Sequence, residues 1–123
     1  MNLTKKEETV RNILINIASR KQTIGYSDLC KTSNLKLDMS NPTDRGEIGK
    51  ILGHISRYEY ENKRPLLSSV VVSKNMEQGD GFFKLAEDLG FGNWKKLKNE
   101  KIFEYDMMNE THDFWSKQNT FIH

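Results

Sequence analysis

The sequence predicts a mainly α-helical domain with a small β-sheet: a winged helix-turn-helix with an added C-terminal helix. Three observations lead there. Two amphipathic stripes, Val10/Ile13/Leu14/Ile17 and Ile48/Ile51/Leu52/Ile55, share the i, i+3, i+4, i+7 spacing of a helix with one buried face. A short extended opener, Thr23-Ile24-Gly25, stands between them, and a run rich in β-branched residues, Leu66 to Val72, follows the second. Helix, strand, short helix, helix, strand is the order of a module that meets a duplex with its third helix.

Thr4 and Glu7 form a capping-box pair, so the first helix starts at about residue 5 and runs to about 20, where Arg20 and Lys21 suit the negative end of its dipole. Gly25 breaks the extended opener. Ser27 can cap a short second helix carrying Leu29 and Cys30. The polar stretch 32–43 reads as a loop, with Leu35 and Leu37 tucked inward. Asn41-Pro42 supplies a cap and a helix-starting proline for the third helix, 42–62. Gly46, Gly49 and Gly53 each cost that helix about 1 kcal/mol relative to alanine, so close approach of another backbone or of a partner is expected there. Leu66 to Val72 reads as a buried strand, with Ser68 and Ser69 in structural roles facing outward between hydrophobic neighbours. Ser73 to Gly81 reads as a polar turn, the wing. Phe82, Leu85, Ala86 and Leu89 recur at helical spacing before Gly90. Residues 94–118 read as one longer helix, with a break near Asn99. The expected organisation is a winged-helix domain over 1–92 and a helical extension over 93–123 packed on it.

At 123 residues, with 36% hydrophobic and 29% charged residues, the chain suits one globular domain. No apolar run reaches the roughly 18 residues of a membrane span, and the first eight residues lack the hydrophobic block of a secretory signal. A single cysteine, Cys30, forms no internal disulfide and suits a reducing compartment. These features predict a small cytoplasmic protein of bacterial or phage-like type without a membrane partner. The net charge of +2 is unevenly spread: residues 1–75 hold 13 Lys/Arg against 8 Asp/Glu, and residues 76–123 hold 6 against 9. A basic first part and an acidic tail suit a nucleic-acid module with an interaction segment behind it.

Few residues carry candidate chemistry. His54, His112 and His123 are scattered and Cys30 has no Cys-x-x-Cys partner, so no metal site or other cofactor is expected. Cys30 lies in an apolar phase, where an inert buried thiol is the ordinary outcome. Gly79-Asp80-Gly81 lacks the lysine of a phosphate loop and the oxygen spacing of a calcium loop, and reads as a tight turn. Glu61-x-Lys63, with Glu59 nearby, supplies a metal-dependent nuclease as a third functional alternative.

The leading alternative is binding. Arg45, Lys50, His54, Arg57 and Tyr58 lie on the third helix, and Lys50, His54 and Arg57, spaced 4 and 3 apart, share a face beside the apolar stripe. Lys63, Arg64, Lys74 and Lys84 add possible phosphate contacts. The bland counterpart is a solvated polar face. Trp94 among Lys95, Lys96 and Lys98 either stacks on a base or closes the core above a basic turn. Phe103, Met107, Phe114 and Trp115 form either a face for a homodimer or protein partner, or a face packed on the first helix. The expected function is therefore a non-enzymatic, regulatory protein that binds nucleic acid, duplex DNA first. An adaptor or inhibitor using the 94–118 helix is the second alternative.

Thr23-Ile24-Gly25-Tyr26-Ser27-Asp28-Leu29-Cys30, Gly46-Glu47-Ile48-Gly49-Lys50-Ile51-Leu52 and Pro65-Leu66-Leu67-Ser68-Ser69-Val70-Val71 together give residues 23–72 a family likeness. This half of the chain resembles the DNA-binding domain of the methylated-DNA–protein alkyltransferases and alkyltransferase-like proteins. The three segments are similar to that family's Thr-Tyr-Gly opener, its Arg-Ala-Val-Gly helix and its Pro-Cys-His-Arg-Val-Val run. The resemblance implies a DNA-binding scaffold. It puts Leu66 at the alkyl-accepting cysteine, Leu67 and Ser68 at the following His and Arg, and Gly46 at the base-flipping arginine with Arg45 one residue before. A leucine has no thiolate, so alkyl transfer is excluded.

Overall fold

The computed structural model describes residues 2–120; Met1 and residues 121–123 of the expected extension lie outside the described residues. The elements are α1 (Lys5–Ser19), β1 (Ile24–Gly25), α2 (Tyr26–Thr32), α3 (Pro42–Glu61), a 3-10 turn (Leu67–Val70), β2 (Val71–Val72), α4 (Asp80–Asp88), α5 (Trp94–Glu100) and α6 (Phe103–Thr120). The protein is mainly helical with a small sheet. Its two strands are parallel, Ile24 opposite Val71 and Gly25 opposite Val72.

α1 starts as its residues dictate: the Thr4 hydroxyl accepts the Glu7 N–H at 3.1 Å while the Glu7 carboxylate accepts the Thr4 N–H at 2.9 Å. α2 starts one residue earlier than its serine suggests. Gly25 takes the cap position and Ser27 falls inside the first turn, because the chain passes straight from β1 into the helix. At α3 the Asn41 side chain accepts the Thr43 and Asp44 N–H groups at 2.8 and 3.3 Å, with Pro42 at the first helical position.

The main core joins Val10, Leu14 and Ala18 of α1, Leu29 and Cys30 of α2, and Ile48, Ile51, Leu52 and Ile55 of α3 to Leu67, Val70 and Val71. A second cluster of Leu66, Phe82, Phe83 and Met107 sits beneath α4, α5 and α6. One charged group lies inside. Glu59 has no exposed surface, and its two oxygens accept from the Nε groups of Arg11 and Arg64. Both guanidiniums also lie over the Tyr58 ring, at 5.3 and 5.4 Å from its centroid. A buried carboxylate persists only with such partners.

Three sequence expectations change. Leu66 to Val72 is a strand only at its last two residues. β1 is two residues long, so the rest of the run finds no ladder and winds into the 3-10 turn. Side chains satisfy the freed backbone: Ser56 Oγ accepts the Ser68 N–H at 3.0 Å, Thr111 donates to the Leu66 carbonyl at 3.2 Å, and Gln78 donates to the Ser69 carbonyl at 2.7 Å. Ser68 and Ser69 consequently face inward, bonded to Ser56 (2.7 Å) and Thr111 (2.9 Å), instead of outward. The C-terminal helix is two helices. The break expected near Asn99 falls two residues past it, at Lys101, which adopts a left-handed φ of 55°, and Ile102. Finally, the 73–81 segment forms no strand, so among the described residues β2 leads through a turn directly into α4 and no hairpin wing is present.

Candidate nucleic-acid interface

The phase of α3 follows from its buried stripe: Gly46, Lys50, Gly53, His54 and Arg57 fall on the opposite side, Gly49 at the stripe's edge, and Arg45, in line with the stripe, is exposed in the first turn. A Cβ added at Gly46, Gly49 or Gly53 would meet nothing within 4 Å. Among the described residues nothing makes the close approach that three glycines at spacings of 3 and 4 would accommodate. They face instead an open groove of about 1090 Å³.

One wall of the groove is α3 from Arg45 to Gly53. The other is made by Tyr26, Ser27 and Asp28 at the start of α2, by the turn from Ser73 to Met76, and by the start of α4 at Gly79–Phe82. Ile48, Leu52, Val72 and Leu85 make the floor apolar. Tyr26 joins the two parts of the second wall, its phenol oxygen accepting the Gly79 N–H at 2.9 Å. Burial raises the phenol pKa, and the Gly79 hydrogen bond offsets only part of that.

The charges on the rim are unequal in their freedom. Arg45, Lys50 and Lys74 are exposed and make no ion pair among the described residues. Asp80 is engaged by Lys98, which raises the lysine pKa. Asp28 is the remaining carboxylate on the lining. The groove thus presents three free cations against one free carboxylate.

The other expected contact residues are distributed elsewhere. His54 turns to α1, its Nδ1 2.7 Å from Glu7 Oε2. Arg57 turns to α4, with a loose 3.8 Å pairing to Asp88, so the two leave Lys50 between them on opposite flanks. Tyr58 and Arg64 belong to the Glu59 cluster inside the fold. Lys63 is exposed in a left-handed conformation (φ 60°) just past α3. Lys84 lies over the Trp94 ring at 5.0 Å, and Trp94 packs on the second core cluster beneath it.

No protein-family model, curated protein or solved structure matches this chain.

Phe103, Met107, Met108 and Trp115 of α6 pack on the two core clusters, while Tyr105 is exposed. Met107 is buried, and its sulfur accepts the Leu66 N–H at 3.4 Å. Phe103 stacks near Phe82 and Phe91, while Trp115 packs on the main core under the Arg11 guanidinium with Phe114 edge-on to it. Leu66, at the position of the alkyl-accepting cysteine in the resembling family, is 1% exposed at the base of a second cleft of about 620 Å³ between the end of α3 and α6. Cys30 is buried too, and burial first, then the Asp44 charge, pushes its thiol pKa up, away from nucleophilic use. No cluster of three or more His, Cys, Asp or Glu side chains suited to a metal ion occurs among the described residues. No helix among them is long and apolar enough to cross a membrane.

What the sequence concealed is the second wall. Tyr26, Met76 and Gly79 are 50 and 53 residues apart in pairs, and no local spacing signals that they meet. The glycine spacing on α3 was the one visible trace of the groove.

Proposed function

We propose that this protein is a non-enzymatic, regulatory DNA-binding protein that seats duplex backbone against the glycine face of α3. One observation carries the proposal: α3 bears three helix-weakening glycines over open space, with Arg45 and Lys50 unpaired beside them. Glycines that fill no contact among the described residues cost about 1 kcal/mol each without return there. A phosphodiester backbone lying close to the helix uses that space, and the flanking cations suit its charge. Lys74 faces the same strand from the turn across the groove. His54 and Arg57 lie at the two edges of the contact, where Arg57 is held only by its loose pairing to Asp88.

Fluorescence anisotropy of a labelled random-sequence duplex, measured over a series of salt concentrations, tests this. Binding should weaken linearly in log affinity against log salt, and charge reversal at Arg45 and Lys50 together should flatten that slope by about two. Equal binding by the reversed variant removes the proposed surface.

A further inference from the structure

We propose that Met76 is an apolar wedge that enters a base step of the bound duplex, an inference that rests on the DNA-binding function proposed above. Met76 is 57% exposed, on the rim of the groove beside Lys74 and across from the α3 glycines. Its backbone is in the left-handed region, φ 61°, which a residue with a side chain adopts only at a cost and which glycine adopts freely. A methionine there is neither comfortable in its backbone nor covered in its side chain.

The turn that holds it is firmly tied. Ser73 donates its N–H to the Glu77 carbonyl at 2.8 Å, and Met76 donates its own to the Ser73 carbonyl at 2.9 Å. The Ser73 hydroxyl accepts the Asn75 and Glu77 N–H groups at 3.3 and 3.4 Å. Directly behind, the buried Gln78 side chain is anchored to the Ser69 carbonyl, and Gly79 to Tyr26. The tip is thus presented by a short braced arm rather than a loose loop. An unbranched, polarizable thioether fits the irregular gap of a partly opened base step, and methionine is among the side chains that serve as such wedges. With Met76 inserted, Lys74 two residues earlier lies at the level of the flanking phosphates.

The test uses the intact protein and short duplexes carrying 2-aminopurine at successive positions, whose emission rises when its stacking is broken. The wild type should raise emission at one position. M76A and M76G should abolish the rise and weaken binding about tenfold, with an unchanged salt slope because no charge is lost. M76L should keep both properties. M76G should also raise the Tm, since glycine relieves the backbone, whereas a methionine serving only the fold would lower it on removal. Wild-type affinity and emission in M76A and M76G overturn the wedge while leaving the binding surface standing. Absence of any duplex binding by the wild type overturns the wedge and the binding function together.

Discussion

The phenol oxygen of Tyr26 accepts the backbone N–H of Gly79 at 2.9 Å, tying the first residue of α2 to the cap of α4 across 53 positions of sequence. A Cβ on Gly79 would stand 3.1 Å from that oxygen, tight enough to push the ring away. Y26F should lower stability by about 1 kcal/mol through the lost hydrogen bond. G79A should cost a similar amount alone and distinctly less in the Y26F background, because the clash and the bond share one atom. Urea denaturation of the four proteins measures the coupling; additive losses would show that the two residues act independently.

Glu59 presents the opposite situation, a charge with no exposed surface held by two arginines. E59Q leaves two guanidiniums, each about a fifth exposed, without their counter-charge and should cost about 1.5 to 3 kcal/mol. A loss below about 1 kcal/mol would mean that solvent reaches this cluster in solution. The short Glu61-x-Lys63 pattern that raised a nuclease thus borders a packing cluster.

Glu7 gives the fold a pH dependence of known sign. Burial by itself would raise its carboxyl pKa, but the Thr4 N–H and His54 outweigh burial and hold it below the ordinary carboxylate range. A carboxylate with a lowered folded-state pKa stabilises fully above its unfolded value and loses that contribution as pH falls through the folded one. Wild type should therefore exceed E7Q in stability at neutral pH, and the gap should close as pH drops below about 4.5. Thermal melts of both proteins between pH 7 and 3 check this; a gap that widens toward acid reverses the sign.

The α6 face packs as core, and its substitution should show core behaviour. M107A removes a buried side chain that also accepts from Leu66, and should cost about 2 to 5 kcal/mol. A near-neutral M107A would return this face to the partner-binding alternative.

Helix phase was legible throughout the first 60 residues. The stripe 48/51/52/55 is buried as its spacing requires, and Thr4, Asn41 and Pro42 begin helices as their chemistry requires. The run Leu66–Val72 misled because β-branched residues report a pleated, buried surface, not the length of the partner strand. Its partner ends at Gly25, where α2 begins. The contact residues split for a similar reason. Lys50, His54 and Arg57 do share one side of α3, but α1 and α4 pack along its two edges and take His54 and Arg57 with them. Which cations stay free depends on neighbours that local spacing does not encode.

The most direct measurement pairs stability with duplex affinity in the variant G46A/G49A/G53A. Among the described residues, nothing beyond the helix's own backbone and the adjoining residues lies within 4 Å of any of the three new methyl groups, so the variant should melt higher, gaining up to about 1 kcal/mol per site. If duplex backbone occupies that space, the same variant should bind a random duplex at least about tenfold more weakly at low salt. A higher Tm with unchanged affinity would contradict the account, because the glycine face would then be open but unused.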